Sequence, residues 1–171
     1  MLARIVQRAP LRKCYPSTVA STTSRRNPGL LRAIVRRAAE YGRTSVRVGW
    51  TEETGASPET ATIAAYNMLG TDTIPARPVL EPLFDAEKNT IRGLSTKAAN
   101  KVSRGLDPAP VFDSLAATLE TQGKATIRDL KDPRNADSTI DKKGFDDPLI
   151  GAGGDGGRLL AEFGARVVKR R

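Results

Sequence analysis

The sequence predicts an α+β domain: a small antiparallel sheet packed against a long two-helix hairpin, carrying an extended basic N-terminal arm. Three observations predict it. Short strand-like runs lie near the two ends of the chain, at SVRVGW (45–50) and LLAEFGARVV (159–168). Two long amphipathic stretches occupy the middle, joined by a short link. Basic charge is concentrated before residue 48. The division that follows is an arm over 1–27 and one domain over 28–171.

In chain order, Leu2, Ile5 and Val6 allow one helical turn, and Pro10 and Pro16 limit anything longer. Asn27-Pro28 reads as an N-cap followed by proline at the first helical position. Leu31, Ile34, Val35 and Ala38 supply the stripe of that helix and Gly42 its stop. Ser45–Trp50 is the first strand, with Val46, Val48 and Trp50 on one side. A polar loop over 51–60 leads to a helix over Ala61–Leu69, with Ile63, Ala64 and Met68 facing inward and Gly70 ending it. Pro75 and Pro78 forbid helix in the following connection.

Val79–Arg104 reads as one long helix with Leu80, Phe84, Ile91, Leu94, Ala98 and Val102 as its stripe; polar Glu87 is the one misfit. Gly105 caps it. Asp107-Pro108 opens the next helix, with Phe112, Leu115, Leu119, Ile127 and Leu130 inward, and Gly123 weakens its middle by about 1 kcal/mol relative to Ala. A short link predicts that the two helices pack antiparallel. Lys131–Pro148 reads as an extended polar segment, Leu149-Ile150 as an apolar clamp and Gly151–Gly157 as a sharply turned loop. Leu159–Val168 reads as a closing strand, irregular at Gly164 and antiparallel to the first.

Composition narrows the chemistry. The chain has 171 residues, no histidine and one cysteine, Cys14. Ser-His-Asp and Cys-His catalysis, His-ligated zinc, cysteine metal clusters and disulfides are thereby excluded. No apolar run is long enough to span a membrane. GAGGDGG lacks the Lys-Ser/Thr of a phosphate loop, because Arg158-Leu159 follow it. The acid pairs Glu52-Glu53 and Asp146-Asp147 sit in polar segments, where solvated charge is the plain reading. No enzyme activity, cofactor or metal is expected.

The net charge of +9 is unevenly spread: residues 1–47 carry +10 and the remainder is nearly neutral at −1. The arm, with Arg4, Arg8, Arg12, Arg25 and Arg26, suits nucleic-acid phosphates or an acidic protein surface. Its only aromatic is Tyr15, too few for base stacking. Arg32 and Arg36, four apart on one helix face, read either as a solvated face or as a partner surface. Arg77, between Pro75 and Pro78, reads either as a surface arginine on a turn or as a structural ion pair or subunit contact. Residues 1–27 also have the Arg-rich, Ser/Thr-rich, acid-poor composition of a mitochondrial transit peptide, which gives a reading as a matrix protein retaining its leader. The preferred expectation is an arm ordered by something outside this chain, because about 27 residues with few apolar anchors do not fold alone.

Two segments carry a resemblance. Gly70, Thr71, Pro75, Arg77, Pro78 and Leu80 match a G-T-x-x-x-P-x-R-P-F-L pattern, with Val79 where Phe is usual. Thr139, Ile140, Lys143, Gly144, Pro148, Leu149 and Ile150 match T-I-x-x-K-G-x-x-x-P-L-I-x-T-G, with Gly151-Ala152-Gly153 replacing the final T-G region. Over about residues 44–168 the chain resembles the tail-completion, or virion-morphogenesis, proteins of tailed bacteriophages. The resemblance implies a non-enzymatic structural protein of the virion neck at the head–tail junction, assembled in the bacterial host cytoplasm. It implies a homo-oligomeric ring, most often sixfold, that contacts connector or tail-tube proteins while DNA passes without specific binding. The expected contact regions are the arm, the Pro75–Pro78 loop, and the 142–157 segment with Lys142, Lys143, Gly153 and Gly154. The arm is expected to face protein rather than the channel. The competing expectation is a basic nucleic-acid-binding protein using that arm.

Overall fold

The computed structural model describes residues 27–151 and 157–170. The expectations for Arg4, Arg8, Arg12, Arg25, Arg26, Gly153 and Gly154 lie outside the described residues. Within them the chain folds as mixed helix and strand. The order is α1 (Pro28–Arg43), β1 (Thr44–Gly49), α2 (Pro58–Leu69), α3 (Leu80–Ala86), α4 (Lys88–Ser103), α5 (Ala109–Asp129), α6 (Asp137–Lys143), α7 (Gly157–Ala161) and β2 (Gly164–Lys169). A single 3₁₀ turn, Glu52–Thr54, follows β1.

The two strands pair antiparallel from Thr44↔Lys169 to Gly49↔Gly164, as the strand reading expects. Val46 opposes Val167 and Val48 opposes Ala165. These side chains pack on Leu115, Ala116 and Leu119 of α5, so the sheet lies on that helix. Arg47 opposes Arg166 across the ladder. Like charges facing each other destabilise a sheet; here Glu53 pairs with Arg47, and the Glu120 carboxyl, held below its ordinary range chiefly by its hydrogen bond from Lys124, feels Arg166 as a small further attraction.

The main core gathers Trp50, Ala64, Val79, Leu83, Ile127, Leu149, Leu160 and Phe163. Trp50 meets Phe163 edge-on at 5.0 Å, and its indole N–H donates to the Leu159 carbonyl at 2.7 Å. Gly123 of α5 is the seat for this pair: a Cβ there would stand 2.1 Å from Phe163 Cε1.

Five sequence expectations are corrected. The first-helix stripe is rotated. Leu30, Ala33, Ile34, Arg37 and Tyr41 face the body of the protein, whereas Leu31 and Val35 are 40% and 61% exposed. Arg37 turns inward because Glu40 and Asp107 supply carboxylates, and Tyr41 because Phe112 offers a ring at 5.6 Å. The second helix begins at Pro58, capped by Ser57, and leaves Ile63 outside while Thr60, Ala61, Ala64 and Met68 turn in.

The expected continuous helix over 79–104 breaks at Glu87 (φ −91°, ψ 7°). Leu83, outside the expected stripe, is one of the most buried side chains and joins Trp50, Val79 and Ile127 in the main core. The expected closing strand begins only at Gly164. Leu160 and Phe163 are three apart and both buried, a helical rather than an alternating spacing. Finally, the segment expected to be extended contains α6, with Asp137 in its first turn and Lys142 and Lys143 in its last, the order that suits the helix dipole.

Candidate functional site

The two segments that carry the resemblance, 70–80 and 139–150, lie nearly sixty residues apart in sequence, and Arg77 of the first reaches the stretch just before the second. At the end of α2, Gly70 takes a left-handed φ of 76°, and a Cβ there would stand 2.9 Å from Ala76 N. Thr71 organises the turn that follows: its N–H donates to the Ile74 carbonyl at 2.8 Å, and its Oγ1 accepts from Thr73 and Ile74 N–H. The Arg77 N–H then donates to the Asn67 carbonyl at 2.7 Å, which folds the turn back on α2. Pro75 and Pro78 stay exposed, while Arg77 is only 5% exposed.

The guanidinium reaches out of this turn into the 131–150 segment. Its Nε donates to the Pro133 carbonyl at 3.0 Å and one Nη to the Arg134 carbonyl at 3.1 Å; the other Nη reaches Asn67 Oδ1 at 3.5 Å. Of the two readings open at the sequence level, the structural one describes these contacts, with the qualification that Arg77 binds carbonyls rather than forming an ion pair. Burial lowers the Arg77 pKa below its ordinary value, and the nearby Asp146 carboxylate opposes that effect.

Asp146 is the second organiser. It accepts from the Asn135 N–H at 2.9 Å and from Arg134 Nε at 3.3 Å. Lys131 pairs with Asp147, and Lys143 Nζ donates to the Asp147 carbonyl at 2.7 Å while lying 5.0 Å above the Phe145 ring. Desolvation lowers the Lys143 pKa, and Asp147 raises it against that, with smaller effects from Arg77 and Asp146. Leu149 anchors the segment in the main core, with Ile150 packed beside it. Lys142 is exposed and makes no ion pair among the described residues.

The structure thus brings together the Pro75–Pro78 turn and Lys143, two of the three expected contact regions. Nothing in the sequence marks the Pro133 and Arg134 carbonyls as the partners of Arg77, because every residue has a carbonyl and only the fold selects two. The Asp146-Asp147 pair, read as solvated charge, turns out to hold this junction.

The second surface is α1. Arg32, Arg36 and Arg43 are exposed and make no ion pair among the described residues. They run beside the exposed Leu31 and Val35. Among the described residues no group of three His, Cys, Asp or Glu could hold a metal ion, and no helix is long and apolar enough to cross a membrane. No protein-family model, curated protein or solved structure matches the chain.

Proposed function

We propose that this chain is a structural, non-catalytic subunit of a tailed-phage virion, working at the head–tail junction as a ring of identical copies, sixfold by resemblance. In this reading a small sheet on an α-helical hairpin forms the body, and the basic arm reaches a neighbouring neck or tail protein. The observation that carries the reading is the Arg77 junction. Arg77 of the first motif segment holds the Pro133 and Arg134 carbonyls, and Asp146 of the second accepts from the adjoining Asn135 N–H, so residues 133–135 bridge the two segments. The exposed face of α1, with Arg32, Arg36 and Arg43 beside Leu31 and Val35, offers a surface for such a neighbour.

The test is the purified full chain, studied by light scattering and negative-stain imaging, together with imaging of the particle that contains it. Rings in solution and density for the chain between head and tail are expected. A solitary monomer at all concentrations overturns the reading.

The unpaired Arg32, Arg36 and Arg43 favour one alternative, a nucleic-acid-binding protein that grips phosphates with α1 and the arm. Micromolar DNA binding that weakens steeply with salt supports that alternative and counts against the first.

A further inference from the structure

The outer face of the sheet is a ladder of arginines. The inner face, with Val46, Val48, Ala165 and Val167, packs on α5. Alternation turns Ser45, Arg47, Arg166 and Val168 to the other side. Arg47 stands directly opposite Arg166. Past the last strand rung, the Arg170 N–H donates to the Arg43 carbonyl at 2.8 Å, which sets a second arginine pair at the end of the ladder. The two pairs are four residues apart along the strands, about 13 Å.

Little on the protein neutralises this charge. Arg43, Arg166, Lys169 and Arg170 are exposed and form no ion pair among the described residues. Arg47 pairs with Glu53, both side chains remaining partly exposed. Another carboxylate near the ladder, Glu120, is engaged by Lys124 and feels Arg166 only weakly. Like charges set opposite each other on a sheet repel. An anion seated between the two guanidiniums of a rung turns that repulsion into attraction, and a phosphate has oxygens enough to accept from both.

Three features select the partner. The face carries no aromatic side chain, and its one apolar residue, Val168, is half-buried. A protein interface is built on apolar and aromatic anchors, and a single nucleic-acid strand needs rings on which to stack, whereas duplex phosphates need only cations. A two-stranded ribbon is also narrow enough to enter a major groove. Lastly, residues 1–47, which lead through β1, carry +10, so a long polyanion is attracted by the face and by the chain before it alike. α1 differs, because its Arg32 and Arg36 stand beside exposed Leu31 and Val35, company that suits a protein.

We infer that the outer face of the β1–β2 ladder, through Arg43, Arg47, Arg166 and Arg170 with Lys169, holds the phosphates of duplex DNA without reading its sequence. The inference goes beyond the ring reading and does not rest on it: the contact belongs to one copy, and a ring multiplies it around one duplex. Two or three phosphate contacts bind weakly, at about 10⁻⁴ M in physiological salt. That is too weak to be the micromolar grip of the alternative above, which lies on α1 and the arm.

The test titrates the full chain into two labelled DNA duplexes of unrelated sequence, read by fluorescence anisotropy over a series of salt concentrations. The two duplexes are expected to bind alike within about twofold. Arg166→Ser with Arg170→Ser weakens binding at low salt by about tenfold or more and makes the log–log salt slope shallower by about 2. Arg32→Ser with Arg36→Ser changes the affinity by less than about twofold. All four positions are exposed, so circular dichroism is expected to match the unaltered chain. Should the sheet variant unfold, Arg43→Ser and Arg170→Ser made singly take its place, each making the slope shallower by about 1. The inference is overturned if the folded sheet variant binds like the unaltered chain, if the α1 variant is the one that loses binding, or if one sequence is preferred by about tenfold or more. Binding of poly-glutamate but not DNA also overturns it and gives the face to an acidic protein. Light scattering of the same samples separates the two readings. Rings without DNA binding sink this inference alone, and monomers whose DNA binding falls in the sheet variant sink the ring alone.

Discussion

Replacing Gly123 with alanine separates what helix propensity expects from what packing expects. On propensity alone, Gly123→Ala in the middle of α5 stabilises by about 1 kcal/mol. The tertiary structure reverses the sign. The new Cβ would lie 2.1 Å from Phe163 Cε1 and 2.3 Å from Cζ, whereas carbon atoms rest at about 3.5–4.0 Å. The ring must retreat by roughly 1.4 Å or more to restore contact distance. It has little room, being 1% exposed and held edge-on against Trp50.

Overpacking of this kind costs about 1–3 kcal/mol or somewhat more, and loss of the edge-on ring contact adds about 0.5–1.5. Net destabilisation of about 1–3 kcal/mol remains after the propensity gain. At about 2–4 °C per kcal/mol for a chain of this size, the unfolding midpoint falls by roughly 3–10 °C. Thermal unfolding followed by circular dichroism measures it, and fluorescence of Trp50, the only tryptophan, reports on the same contact. Phe163→Leu in the Gly123→Ala background recovers part of the loss, giving a coupling of about 1 kcal/mol or more in a double-mutant cycle. A midpoint that rises in Gly123→Ala refutes the reasoning.

Arg77→Lys keeps the charge but loses the fork that spans two carbonyls; a loss of about 2 kcal/mol is expected in denaturant unfolding, with faster hydrogen exchange concentrated in residues 131–150. Glu162 accepts the Ser57 N–H at 2.7 Å, and that bond, ahead of the opposing desolvation, holds its pKa below the ordinary carboxylate value. Its stabilising effect is present above the unfolded carboxylate pKa of about 4.3 and is lost as pH falls through the lower folded value. Glu162→Gln should therefore reduce stability at pH 7 and flatten the acid limb of a stability–pH curve; an unchanged acid limb would contradict this. Asn27→Ala removes the cap on the Leu30 N–H, and a loss of about 1 kcal/mol in unfolding free energy is expected. Val35→Ser should leave monomer stability within about 0.5 kcal/mol, whereas Ile34→Ala should cost about 1–2, half the range for a fully buried site; equal effects would restore the stripe expected from sequence.

Much of the architecture is legible without coordinates because it follows from local rules. Asn27-Pro28 starts a helix, alternation at 45–50 makes a strand, and glycines at 70 and 105 end helices, each through the preferences of a few adjacent residues. The antiparallel pairing of the two strands was also accessible, since each strand has one apolar edge to bury and few candidates to bury it with. The motif segments, and hence Arg77, could be singled out by residue type.

The rest depends on what stands opposite each residue, which no window of sequence contains. α1 is apolar around more than half its circumference, so its inward face was decided by Phe112, Gly105 and Asp107 from elsewhere in the chain. Leu83 is buried because Trp50 and Ile127, distant in sequence, gather around it in the main core. Gly123 looks like a flaw in α5 until Phe163 arrives from the far end of the chain to fill the space above it. The same logic governs Arg77, whose prolines set a backbone but whose function depends on two carbonyls nearly sixty residues away. Local preference is a property of neighbours in sequence, whereas packing and hydrogen-bond satisfaction are properties of neighbours in space, and only folding makes those lists known.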